Sequence, residues 1–384
     1  MKKRFFQHLL ILAAALILPL SGQDAENTAR LTAVNGNVFI MAASGEKKPA
    51  AVNMTLSEDD EIITESGTCS FSYSGVVNVD MDDNSKTRIN PPDDETDAPS
   101  ITCFLGKIFA KVQKLGNTTS FSVVTPTVIA GVRGTEFSVV CAEDGSSMIG
   151  VDSGLVEVEA GEGEKAECSP GQSAEAGYAG PLQKKEGFKR EDFNREAWMK
   201  QKRENLMQNK DQIFEHLEKG LDRHIKFMTE AEKKMDEMEK NQKNLMMVMK
   251  KAQQQGNQQQ IMRLKENAKQ NFMVYAKVMR GMEQARVKCK TQFAVADRLG
   301  GSPEFKDFKD KNAQKFTRIK EHNEHFAKRE ALIRAKAPAI RMAFRDQKME
   351  HRGAQPGMRQ QEQHQNHGQQ PRGGQPGGRP QQRR

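Results

Sequence analysis

The apolar residues of this chain change period once, at the loop around Gly177–Pro181, and that switch limits what it can fold into. From Ala29 to about Ala176 they alternate. Cys69, Phe71 and Tyr73 alternate with serines, Val77, Val79 and Met81 with Asn78, Asp80 and Asp82, and Val156 and Val158 with Glu157 and Glu159. Phe137, Val139 and Cys141 lead into the turn Glu143-Asp144-Gly145. Period-two runs broken by Gly, Pro, Asn and Asp predict half-buried antiparallel strands in a sandwich or barrel.

Beyond the loop Gly and Pro nearly vanish, and apolar residues recur every three or four positions. One series is Leu221, Met228, Ala231, Met235, Met238, Leu245, Met249 and Ala252, interrupted by His224 and Gln242. A second is Ile261, Leu264, Ala268, Phe272, Tyr275, Met279, Met282, Cys289, Phe293 and Ala296. A third is Phe305, Phe308, Phe316, Ile319, Phe326 and Ile333. Such stripes between charged residues predict a coiled coil or helical bundle. Helices are expected near 190–254, 258–299 and 303–336, with a bend at Gly220, a break at Gly256-Asn257 and a start at Ser302-Pro303-Glu304. Pro338 would kink a continuation to about 349.

The net charge of +8 hides a division. Residues 23–181 carry 10 bases and 25 acids, whereas 182–384 carry 46 bases and 26 acids. Opposed halves imply different partners, or transient docking of one half on the other within or between chains through surface charge that salt screens. One Trp, three Tyr and a mean hydropathy of −0.74 exclude a polytopic membrane protein and a single large core.

Lys2, Lys3 and Arg4 precede an apolar run from Leu9 to Leu18, then Ser21 and Gly22, the layout of a secretory signal peptide over 1–22, with an uncleaved anchor as the alternative. Export to the periplasm or beyond is expected, with no transmembrane span in the mature chain. Four cysteines in the acidic half, Cys69, Cys103, Cys141 and Cys168, are then candidates for disulfides in any of three connectivities, or simply small buried apolar residues. Cys289 has no evident partner in the chain. None has C-x-x-C spacing, which excludes a zinc ribbon.

One stretch resembles a known family. Thr125-Pro126-Thr127 followed by Val132-Arg133-Gly134-Thr135-Glu136-Phe137 is similar to the T-P-x(5)-V-R-G-T-x-F pattern of the FecR domain family. Weaker matches flank it at Asn35–Val38, Ile63–Gly67, Asn84-Ser85, Leu105–Ile108, Ser153–Val158 and Pro170–Gln172, so the resemblance covers roughly 30–178. It implies an all-β extracytoplasmic domain without catalysis that senses or contacts envelope proteins. The best-known members regulate a cytoplasmic sigma factor. Here only seven residues, to Gln7, precede the hydrophobic segment, so direct sigma-factor contact is not expected. The residues carried over as fold or partner contacts are Thr125, Pro126, Gly131, Arg133, Gly134, Thr135 and Phe137. Pro126 ends strand pairing, Gly131 and Gly134 permit turn dihedrals, and a buried Arg133 would need an acid such as Glu136.

Enzymatic signatures are missing. All eight histidines lie outside the strand region, and no P-loop, G-x-S-x-G, H-E-x-x-H or dinucleotide fingerprint occurs. Asp80, Asp82 and Asn84 begin a calcium-loop spacing, but Ser85 and Pro91 occupy the positions of its Gly and Glu. His322 and His325 lie one turn apart on an expected helix, where a solvated face is the simpler reading. No catalytic residue, metal or cofactor is expected.

The expected organisation is multidomain: signal peptide 1–22, an all-β FecR-like domain over 29–178, all-α coiled-coil-like helices over 188–349, and a disordered Gln/Gly/Pro/Arg-rich tail over 350–384. The expected function is non-enzymatic binding or signalling in the bacterial cell envelope. The alternative is an envelope scaffold whose basic helices and tail hold anionic polymers. Partners are an envelope protein or such a polymer, with self-association through the helices; nucleic acid is disfavoured by the expected export.

Overall fold

The structure, a computed structural model, describes residues 29–73, 75–90, 99–113, 121–178 and 180–353, with side chains as far as Lys336. The expected signal peptide, the acidic run Asp93–Asp97 and the expected tail from 354 onward lie outside these residues. The strand region and the helices as far as Pro338 form one compact unit.

The described residues between 29 and 186 form fifteen strands: β1 (Ala29–Met41), β2 (Lys47–Pro49), β3 (Thr55–Leu56), β4 (Glu61–Tyr73), β5 (Val77–Met81), β6 (Ser85–Ile89), β7 (Ser100–Val112), β8 (Phe121–Val124), β9 (Val128–Val132), β10 (Glu136–Cys141), β11 (Ser147–Ser153), β12 (Val156–Ala160), β13 (Lys165–Cys168), β14 (Gln172–Gly177) and β15 (Gly180–Glu186). The main path runs β13-β12-β9-β8-β7-β10-β11-β14-β15. β7 is the spine: its first half pairs with β6 and, in parallel, with β8, while its second half pairs with β5 and β10. β5 and β6 continue through β4 to β1.

The alternation read from the sequence sets this core. Val77, Val79 and Met81 on β5 and Val156 and Val158 on β12 are buried, and the residues between them are exposed. β10 departs from the pattern, with both faces buried. Phe137, Val139 and Cys141 face the sheet core, whereas Val140 belongs to a second cluster with Ala142, Met148 and Trp198. That second face lies beneath the helices.

The helices are α1 (Arg195–Gln254), α2 (Gln258–Gly301), α3 (Lys306–Lys311) and α4 (Ala313–Gly353). Asn194 caps α1, its Oδ1 accepting from Ala197 N at 2.9 Å, and Asn257 caps α2 through Gln260 N at 3.1 Å. α1 and α2 form an antiparallel hairpin: Gly220 meets Gln292, Phe227 meets Gly281, and Tyr275 donates to Glu239. α4 lies parallel to α1, joined by Arg318–Asp222, Arg329–Glu232 and Lys336–Glu239. Phe214, Phe308 and Phe316 close the lower core of this bundle, and Phe293 packs on Phe326. No described helix is long and apolar enough to cross a membrane.

Five details differ from the sequence expectation. The strand region ends not at 178 but at Glu186, because β15 pairs with β14 despite its polar sequence. The first helix begins at Arg195, since Phe188 and Phe193 are used in the cluster beside Trp198. The irregularity in α1 lies at Asn209, where φ −116° and ψ 21° depart from helical values. Gly220 does not bend the helix; it admits the Gln292 side chain, which a Cβ there would meet at 2.3 Å. Finally, α2 runs through Gly300-Gly301, and the next segment starts as a 3-10 turn, Pro303–Phe305, before α3.

All five cysteines are free thiols and buried. Only Cys103 and Cys141 touch, the Cys141 sulfur lying 3.4 Å from Cys103 O, so no disulfide framework joins the strands. Burial pushes the Cys69 thiol up to about 12 and also raises Cys141, Cys168 and Cys289. Thiolate is the reactive form. In a thiol assay on the reduced native protein, fewer than one cysteine per chain should react before denaturant is added, and five after. Fast reaction of two or more native thiols would contradict this packing.

A groove and a buried charge cluster between strands and helices

The motif residues separate into two groups. Thr125 and Pro126 lie at the helix seam; Gly131, Arg133, Gly134, Thr135 and Phe137 do not. Thr125 closes the turn from β8 to β9: its Oγ1 accepts from Val128 N at 2.9 Å and donates to Val128 O at 3.0 Å. Thr127 places its hydroxyl 3.0 Å from Gly145 O, 3.1 Å from Ala176 O and 2.9 Å from Ser147 Oγ, which ties three turns together. Around Gly145 the Tyr178 ring, Pro126 and Val295 of α2 converge: a Cβ there would lie 2.7 Å from the ring and 3.2 Å from each of the other two. The motif turn is therefore seated against a helix.

Phe137 is a core residue. Gly134 holds φ 66°, and the backbone beside it leaves no room for a Cβ at Gly154, which would meet Gly134 O at 2.6 Å. Gly131 has no positive φ, and its nearest such contact is 3.9 Å away, so the expected conformational need is not found there. Arg133 is exposed rather than buried, and the Glu136 carboxylate instead lies 2.6 Å from Lys111 Nζ. The other motifs have structural uses: Asp82 pairs with Lys107 at 3.3 Å, and His322 Nε2 lies 2.6 Å from Asp222 on the neighbouring helix.

Where the strand turns face the helices they leave a groove of about 580 Å³. One wall is the turn at Thr125–Val128 with the turns at 159–164 and 177–181; the other is His216, Gly220, Arg223 and His224 of α1 with Lys288 and Gln292 of α2. At its floor His224 Nδ1 lies 3.1 Å from Gln292 Oε1. Burial lowers the His224 pKa further than this hydrogen bond restores it, with Lys288 and Arg223 adding to the depression, so the imidazole is neutral at pH 7.

A second constellation locks the seam. Arg286 of α2 is 1% exposed and donates to Asp59 at 2.8 Å and to both Glu283 oxygens, with Glu330 at 3.3 Å. Arg334 of α4 reaches Asp59 at 3.6 Å and donates to Ala43 O at 3.2 Å. Beneath them Arg88 of β6 is fully buried, 3.7 Å from Asp59 and stacked on the Phe104 ring at 4.8 Å. Among the described residues its guanidinium nitrogens make no hydrogen bond. Burial, reinforced by the Arg286 charge, pulls Arg88 down to about 10. The two halves thus meet within one chain, but through an interlocked buried cluster rather than the transient surface docking expected from the opposed charges.

For Asp59, burial raises the pKa, but Arg286, by charge and hydrogen bond, and Arg88 outweigh it, so the carboxyl lies below its usual range. Glu330 is lowered in the same way, chiefly by Lys290 against burial. A depressed folded pKa adds stability above the unfolded value, about 4, and that stability is lost as pH falls through the folded value. The seam should therefore hold from pH 5 to 8 and loosen only below about pH 4. A red shift of Trp198 emission centred above pH 5 would contradict this.

Sequence reading missed Arg286, although a signal was present. It falls at a stripe position, four residues after Met282 and three before Cys289, where an apolar residue is expected.

Comparison with known proteins bears on the strand region. The model of the FecR protein family matches residues 60–157. No curated protein matches the chain. Among solved structures, two crystal structures of a candidate anti-sigma factor from Parabacteroides distasonis ATCC 8503 are similar at 20% and 22% identity, with TM-scores of 0.30 and 0.29. Each alignment covers 33% of this chain and 59% of the other, so the chain spans under two thirds of those proteins.

Proposed function

We propose that this chain, which carries a FecR domain over residues 60–157, is an exported, non-enzymatic regulatory protein that binds a partner protein in the bacterial cell envelope. The observation that carries the reading is the position of the motif turn. Thr125 and Pro126 form part of a groove completed by α1 and α2, so the helices work with the domain as one recognition surface. A helical extension acting only as a spacer needs no buried ion cluster with the domain that precedes it. Here Asp59, Arg286, Glu330 and Arg334 fix one domain on the other. The groove volume falls within the range of about 300–1,000 Å³ usual for ligand clefts. A lysine- and arginine-rich leading segment with an apolar run supports export.

A photo-crosslinking residue at Gly161, on the groove rim, tests this in native cells. The expected result is an adduct of discrete mass, absent when the same residue replaces Lys265 on the outer half of α2. No adduct at Gly161, or the same adducts from both positions, would overturn the reading.

A further inference from the structure

We propose that the groove takes an extended acidic segment of a partner protein, with Arg223 and Lys288 receiving a carboxylate; this rests on the partner-binding reading above. Arg223 and Lys288 come from different helices and converge on the same end of the groove, beside His224. Among the described residues neither forms an ion pair, in a seam where most neighbouring cations do. Two acids of the opposite wall hold partners of their own. Glu159 pairs with Lys165 at 3.3 Å, and Glu164 accepts from Leu182 N at 2.7 Å. The uncommitted charge of the helix wall is therefore positive, and it calls for an anionic group.

The opposite wall argues that the anion belongs to a polypeptide. Gly161, Gly163 and Gly180 present bare backbone there: a Cβ built at any of them meets nothing within 4 Å. Such bare stretches, set among the side chains of Thr125, Ile129 and Tyr178, let another main chain approach closely enough for backbone hydrogen bonding. A polyanion without amide groups gains nothing from them. One wall reads main chain and the other reads charge, the combination that an extended acidic peptide supplies.

A fluorescein-labelled octapeptide of alternating glutamate and glycine is a suitable probe, measured by anisotropy on the full chain, with polyphosphate as a competitor. The double variant Arg223→Ala/Lys288→Ala should bind about tenfold more weakly, the loss of a charge-assisted pair of contacts. Arg263→Ala/Lys265→Ala, which removes two exposed cations elsewhere, should change affinity less than twofold. Equal losses in both variants, displacement by polyphosphate as effective as by unlabelled peptide, or no peptide binding would each overturn the proposal. The two readings fail separately. If the Gly161 crosslink captures its partner as efficiently in the Arg223→Ala/Lys288→Ala variant as in the parent, the acidic-segment inference is wrong while partner binding stands.

Discussion

Arg286→Ala is expected to cost about 3–5 kcal/mol and to release the helices from the strand domain before either part unfolds. The magnitude follows from what the substitution leaves behind. Arg286 is nearly inaccessible, and its guanidinium serves Asp59, Glu283 and Glu330 together. Removing one partner of a buried ionic cluster strands the others without solvent, and that stranding dominates the loss. Arg88 makes the position more sensitive. It is already buried without a hydrogen bond among the described residues, so undocking, which lets water reach it, offsets part of the broken contacts. The expected signature is two separated transitions where the parent shows one. Asp59→Asn should do the same more weakly. A double-mutant cycle of the two should return a coupling of at least about 1 kcal/mol. A loss below about 1 kcal/mol for Arg286→Ala would mean that the cluster is a surface network of little consequence.

Gly150→Val should loosen the other end of the seam by about 2–3 kcal/mol. Gly150 lies inside β11, where valine suits the backbone, so the sheet itself is not harmed. The obstacle is Phe188, whose ring covers the glycine: a Cβ there would fall 2.1 Å from the ring. A branched side chain must displace that ring, which packs on Phe193, itself in tilted contact with Trp198. The stated cost is that of uncovering one large apolar side chain and disturbing its neighbours. Thermal unfolding followed by near-ultraviolet circular dichroism checks it. Adding Phe188→Ala to Gly150→Val removes the clash, and the pair should then lose no more than Phe188→Ala alone. A Gly150→Val protein as stable as its parent would show that Phe188 does not occupy this site.

The elements were legible because each obeys a single period. Val77, Val79 and Met81 face one way, and Leu221, Met228 and Met235 recur on one helix face, whatever surrounds them. The docking was partly legible. In β10 and the residue after it, Val140 and Ala142 are apolar on the face opposite Phe137, Val139 and Cys141, which marks a strand covered on both sides. Arg286 in an apolar stripe was the matching signal on α2. The groove was not legible, because Thr125, Gly161, Gly180, Arg223 and Lys288 share no pattern and meet only once the helices are seated. Asn209 and Gly220 make the same point: a glycine suggested flexibility, but close packing against Gln292 is why it sits there, and the irregularity fell on a residue that local pattern does not distinguish.

The central claim is that the helices are fixed on the strand domain. Trp198 reports on it directly, being the only tryptophan and lying in the seam with Val140, Ala142 and Met148 at 8% exposure. Its fluorescence should be measured on the intact protein at low and at high salt, with acrylamide as quencher. The account predicts emission shifted to the blue of free tryptophan and protected from quencher, unchanged by salt because the cluster that holds the seam is buried beyond ionic screening. Emission at the wavelength of free tryptophan, or a shift to it on adding salt, would contradict the claim.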